Sequence, residues 1–227
     1  CFSVGADGLI FIESSETADF VWDFYNSDGS VAEMCGNGAR CAARYACQRG
    51  IATAELVFET LAGEIRAKVN EDNSVRLGMT DPFDFRKGEP VVLDGTTFEL
   101  WFVNTGVPHA VIFVDDEDAP VARWGEQIRF DQQFQPQGTN VNFVTALGGN
   151  VFRSRTYERG VEEETRACGT GAVASAIYST LTGVSTSPVS IITSGGEELV
   201  IAFDLEDGST VKNVTMQGPA RFVYEGE

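Results

Sequence analysis

Apolar and polar residues alternate along most of this chain with the period of a half-buried strand, and twice a helical spacing breaks the alternation. The first break follows Cys35, where Ala39, Ala42, Ala43, Ala46 and Cys47 recur at i, i+3, i+4, i+7 and i+8 and the run stops at Gly50, a residue suited to a left-handed helix end. The second follows Cys168 and runs through Ala172, Val173, Ala176, Ile177 and Leu181 to Gly183. Strands are expected at 9–13, 20–25, 56–60, 65–69, 74–79, 98–103, 110–114, 139–144 and 151–157, with a short helix over 121–127. Residues 83–95 read as a crossing into the second half, and a last strand over 214–224 is expected to cross back to the first.

The two helical stretches are copies of one unit. Cys35, Gly50, Thr60, Gly63 and Glu64 stand at one constant offset from Cys168, Gly183, Thr193, Gly196 and Glu197. An internal duplication of this kind implies an α+β protein of two pseudo-symmetric domains, each a curved, mostly antiparallel sheet wrapping a central helix. The expected division is 1–82 plus 212–227 for one and 83–211 for the other. A length of 227 residues suits two domains of about 100 each.

A formal net charge of −18 argues against nucleic acid or an anionic membrane as partner, since both need a basic face. No apolar run reaches the roughly 18 residues of a membrane span, and no signal-peptide pattern is present. Five cysteines (Cys1, Cys35, Cys41, Cys47 and Cys168) form no even framework, which suits a reducing, cytoplasmic location. Zinc is a poor reading, because the ligand spacings are wrong and the chain holds one histidine, so no metal site is expected. Cys41 and Cys47 fall within the first helix, Cys47 on its apolar stripe as a small core residue.

In Met34-Cys35-Gly36-Asn37-Gly38 and Ala167-Cys168-Gly169-Thr170-Gly171 a thiol precedes a Gly-x-Gly turn and a buried helix. A helix N-terminus stabilises the thiolate and lowers its pKa. The glycines let a ligand approach backbone N–H groups that the helix leaves unpaired, and a substrate carboxylate held there would repel an adjacent carbanion less. That combination suits removal of a proton beside a carboxylate, and two such thiols acting on opposite faces invert the centre. One Cys-Gly-x-Gly before a helix is commonly a matter of packing; two at equal offset in duplicated halves point to a site.

Asn26-Ser27-Asp28-Gly29-Ser30 with Met34-Cys35-Gly36-Asn37-Gly38-Ala39-Arg40-Cys41, Gly106-Val107-Pro108-His109, Gly138-Thr139-Asn140-Val141, and Tyr157-Glu158-Arg159-Gly160 with Ala167-Cys168-Gly169-Thr170-Gly171 together resemble diaminopimelate epimerase, in order, from Gly5 to Gly218-Pro219-Ala220. The resemblance implies a cofactor-independent isomerase that interconverts LL- and meso-diaminopimelate on the route to lysine and peptidoglycan, usually as a homodimer. By similarity Cys35 and Cys168 are the acid–base pair. Asn26, Gly36, Asn37, Asn140, Glu158, Arg159, Gly169 and Thr170 match substrate-binding positions, and His109 and Glu158 match residues that tune the thiols.

Two departures stand out. Val107 occupies a place where the family often has asparagine. The family's N-terminal segment, with its Gly-Asn-Asp-Phe motif and another substrate asparagine, has no counterpart ahead of Cys1, and a missing segment is expected there. Readings from neighbouring classes are a proline or hydroxyproline racemase, an inactive truncated amino-acid-binding homologue, and a thiol–disulfide redox protein.

Overall fold

Aromatic residues at every second position of Phe20, Trp22 and Phe24 fix one face of a sheet against which an alanine-lined helix can lie closely. A computed structural model describes residues 5–6 and 8–226; Cys1 and the Asp7 of the opening turn lie outside the described residues. The chain separates into two units: one runs up to Gly78 and resumes at Gln217, and the other is Met79–Met216.

In the first unit β1 (Gly8–Glu13), β2 (Phe20–Asn26), β3 (Glu55–Thr60), β4 (Gly63–Val69) and β5 (Val75–Gly78) follow one another in space in chain order. The β2–β3 pairing is parallel and the rest are antiparallel. The helix α1 (Gly36–Gln48) packs on β1, β4 and β5, burying Ala39, Ala42, Ala43 and Ala46. Small side chains allow that close approach, and Phe20 of β2 stacks on Phe58 of β3 with ring centroids 4.8 Å apart.

In the second unit β6 (Phe83–Lys87), β7 (Val91–Leu93), β8 (Thr96–Phe98), β9 (Trp101–Asn104), β10 (Pro108–Phe113), β11 (Asn140–Gly148), β12 (Val151–Glu158), β13 (Glu163–Thr165), β14 (Val189–Thr193), β15 (Glu198–Glu206) and β16 (Thr210–Gly218, of which the last two residues count with the first unit) are joined by α2 (Val121–Arg129) and α3 (Gly169–Leu181). The spatial order is β16-β15-β14-β12-β11-β10-β9-β6, with β13 paired to β12 and β7–β8 a separate hairpin. The β10–β11 and β12–β14 pairings are parallel. The sheet wraps α3, which touches β9, β10, β11, β12, β14 and β15 and is buried from Gly171 to Ser179. A second core lies between α2 and the sheet, built from Leu100, Phe102, Ile112, Ile128, Phe134 and Phe143.

The duplication is visible in local detail. Both α1 and α3 have 13 residues, and Gly50 and Gly183 close them with φ of 70° and 77°. At these two positions a Cβ would be strained, which is why both runs end in glycine.

Three sequence expectations change. The strand expected over 214–224 runs instead over Thr210–Gly218, and residues 219–224 carry no strand. The 83–95 crossing carries β6 and β7, and the single strand expected over 98–103 is broken at Glu99 and Leu100. The reason is pairing: β8 belongs to the small hairpin with β7, whereas β9 joins the main sheet between β6 and β10.

Candidate active site

Cys35 is the N-cap of α1, with extended backbone, and its Sγ accepts from the amide of Gly38 at 3.5 Å. A capping side chain at this place takes up one of the helix's unpaired N–H groups. In the first turn of α1 Asn37 is exposed, and its Oδ1 accepts from the Arg40 guanidinium at 2.9 Å. Arg40, 2 % exposed, also donates from Nε to the Pro219 carbonyl at 3.0 Å, so it ties the first turn of α1 to the returning C-terminal segment of its own unit. Asn26 ends β2 and is exposed; its side chain donates to Ser30 Oγ at 3.0 Å inside the Asn26–Ser30 turn.

Cys168 is the N-cap of α3, half-buried, with Sγ 3.6 Å from the Thr170 hydroxyl. The sequence leads one to expect a lowered thiol pKa, and here the structure reverses the sign. Burial pushes it up to about 11, the Glu158 carboxylate adds to the rise, and the Thr170 hydroxyl and the Gly171 and Thr170 amides offset only part of it. Cys168 at rest is therefore a thiol that holds a proton.

His109 lies beside this thiol's helix. It is 0 % exposed, with Nε2 2.9 Å from the Thr170 hydroxyl, and Thr170's carbonyl accepts from Thr105 at 3.0 Å. Burial pushes the imidazole down to about 3 and the positive charge of Arg159 acts in the same sense, so the ring is neutral.

Asn140 is 4 % exposed and spends its side chain on backbone: Nδ2 donates to the Pro108 carbonyl at 3.0 Å and Oδ1 accepts from the Arg159 amide at 2.8 Å. It thereby clamps the turn carrying Glu158 and Arg159 to the end of β10. The Arg159 guanidinium donates to the Gln137 carbonyl at 2.9 Å. Within the second unit, then, His109, Asn140, Glu158, Arg159, Cys168, Gly169 and Thr170 converge; within the first, Cys35, Gly36 and Asn37 share one helix start.

The sequence reading missed Asn142, Thr156, Thr105 and Arg40. Asn142 is 0 % exposed, sits two residues from Asn140 on β11, and pairs directly with Thr156 of β12. Two asparagines at a spacing of two on an otherwise apolar strand were the available signal.

Among the described residues no helix is long and apolar enough to cross a membrane. In fold the chain is similar to a Bacillus anthracis phenazine biosynthesis protein of the PhzF family, with TM-score 0.71 and 17 % identity over 94 % of this chain and 81 % of that one. It is also similar to an Agrobacterium vitis hydroxyproline epimerase, with TM-score 0.64 and 18 % identity over 93 % and 71 %. These likenesses define the fold class, that of PhzF proteins and proline-type racemases and epimerases. The chain itself belongs to the diaminopimelate epimerase family, an isomerase family whose model matches residues 1–84 and 101–223. It is 47 % identical to the diaminopimelate epimerase of Hydrogenobaculum sp. (strain Y04AAS1), over 99 % of this chain and 81 % of the relative. With that of Aquifex aeolicus it shares 50 % identity over 98 % and 80 %.

Proposed function

We propose that this chain interconverts LL- and meso-diaminopimelate by exchange of the Cα proton, with Cys35 and Cys168 as the acid–base pair. The observation that carries the reading is that each unit of a diaminopimelate epimerase family member places one cysteine at the N-cap of an equivalent 13-residue helix. The two units act as the two epimerase halves, 1–82 plus 212–227 and 83–211. Cys168, protonated at rest, enters as the acid, and Cys35 serves as the base; in the reverse direction the roles exchange.

A thiol pushed up to about 11 also leaves behind a strong base once it has given its proton away. That helps with a carbon acid, whose proton is hard to remove. Glu158 supports this by its negative charge, and neutral His109 by holding Thr170. The Gly36, Asn37, Gly169 and Thr170 amides receive the carboxylate at the reacting end, where helix N-termini favour an anion. Asn26, Glu158 and Arg159, with Asn140 through the one Nδ2 hydrogen not given to the Pro108 carbonyl, hold the remaining amino and carboxylate groups, Arg159 being suited to a carboxylate by its planar fork. No cofactor or metal is needed for this chemistry. A homodimer in the cytoplasm completes the proposal.

The test is a substrate panel read by chiral separation. LL-diaminopimelate should convert to the meso form while L-proline and trans-4-hydroxy-L-proline remain unchanged. Turnover of the cyclic amino acids with diaminopimelate inert would replace this reading by the proline-type one.

A further inference from the structure

We infer that Asn142 sets the tautomer of His109 and, through it, turns the Thr170 hydroxyl hydrogen toward the Cys168 sulfur, which makes Asn142 a positioning residue for the second thiol. The inference deepens the proposed acid–base role of Cys168 and rests on it.

The derivation is a matter of hydrogen accounting. Asn142 Nδ2 lies 2.9 Å from the Ala110 carbonyl, which can only accept, so the amide is oriented with its NH2 on that side. Its Oδ1 accepts from Thr156 Oγ1 at 2.9 Å, consistent with the same orientation. The second hydrogen of that NH2 faces His109 Nδ1 at 3.0 Å. An amide nitrogen cannot accept, so Nδ1 must be the bare nitrogen and the neutral ring carries its hydrogen on Nε2. Nε2–H then donates to Thr170 Oγ1 at 2.9 Å. With that lone pair occupied, the hydroxyl's own hydrogen is free to point at Cys168 Sγ, 3.6 Å away. A hydroxyl donating to sulfur stabilises the thiolate form, the form Cys168 reaches after protonating the substrate.

The opposite tautomer would reverse the chain. A bare Nε2 would draw the Thr170 hydrogen to itself and leave the hydroxyl's lone pairs against the sulfur. Burial supports the arrangement, since His109 and Asn142 are both 0 % exposed and Thr156 3 %, which leaves water no part in choosing the tautomer. The side-chain charges felt here are Glu158 at Cys168 and Arg159 at His109, and neither touches Asn142 through a hydrogen bond.

His109 is the chain's one histidine, so nitrogen NMR of the full chain labelled in histidine reads the tautomer without assignment. The expected spectrum from pH 5 to 8 has Nε2 protonated and Nδ1 bare; Nδ1–H, or a doubly protonated ring near neutrality, overturns the inference even if no variant folds. Cys168 alkylation by iodoacetamide, followed by mass mapping against pH, supplies the second readout and needs no turnover. Thr170→Val should slow it about tenfold at pH 8, the effect of losing one hydrogen bond to a charged group, and Thr170→Ser should restore it. Asn142→Leu should slow it severalfold and release Nδ1 to a tautomer mixture, yet add nothing in a Thr170→Val background. Equal slowing by Asn142→Leu with and without the Thr170 hydroxyl would mean that Asn142 acts by packing alone. If the wild-type tautomer is as expected but diaminopimelate is not converted, the proposed function fails while this relay stands.

Discussion

A Cβ placed on Gly171 would stand 2.3 Å from Oδ1 of Asn142. The second glycine of the Cys168-Gly169-Thr170-Gly171 stretch is therefore fixed by contact with a buried strand residue, as well as by any ligand that approaches the helix start. Gly171→Ala should cost about 1–3 kcal/mol through overpacking. It should also push Asn142 off His109, because Thr156 Oγ1 and Cys168 Sγ, at 3.1 and 3.2 Å from the same point, close the other exits. Urea unfolding together with the His109 nitrogen spectrum checks both effects; an unchanged midpoint and spectrum would show that β11 yields.

Acid should weaken the second unit through His109. Its pKa is 6.5 in the unfolded chain and about 3 in the native one. Between those values the unfolded chain binds a proton that the native protein does not, so stability falls as pH drops below about 6.5, by about 1.4 kcal/mol per pH unit. Above that window the group contributes no slope. Unfolding free energies measured from pH 7 to pH 5 should be less steep in His109→Gln, and equal slopes in the two proteins would contradict the burial of a neutral ring.

Glu158→Gln should lower the alkylation midpoint of Cys168 by removing the negative charge beside the thiol. Burial is the larger cause of the elevation, so the midpoint should remain above that of an ordinary thiol. Mass mapping over a pH series distinguishes this from a fall to the ordinary value, which would make the carboxylate the dominant influence.

Arg40→Lys should cost about 1–3 kcal/mol despite keeping the charge. One ammonium cannot reproduce the planar reach from the Pro219 carbonyl to Asn37 Oδ1. A parallel loss of substrate affinity, read as a rise in KM, is expected if Asn37 is left free to turn. An unchanged KM would show that Asn37 needs no such anchor.

Periodicity carried much of the fold. The alanine spacing after Cys35 and the apolar run after Cys168 sufficed to place α1 and α3, and alternation sufficed for β1, β2 and β12, because each of those patterns records which face of a local element is buried. Long-range pairing left fainter marks. The break between β8 and β9 depends on which strands each meets, and β13 is held by its register against Thr156, Tyr157 and Glu158. The same holds at the candidate site. Both cysteines announced themselves by motif, whereas Asn142 reaches His109 only because β10 and β11 run parallel with Val111 opposite Asn142 and His109 opposite Asn140. The elevated thiol pKa was hidden for a similar reason: the helix terminus is written in the sequence, but burial and the approach of Glu158 are properties of the folded unit.

The most direct measurement incubates the protein and its Cys35→Ala and Cys168→Ala variants with LL-diaminopimelate in deuterated water, following Cα deuterium by mass and configuration by chiral separation. With two thiols as acid and base, the unsubstituted protein should incorporate solvent deuterium as the meso isomer forms. Each single substitution should slow that inversion by about 10²- to 10⁴-fold, the range for loss of a general acid or base. Retention of full inversion in either variant would contradict a two-thiol exchange.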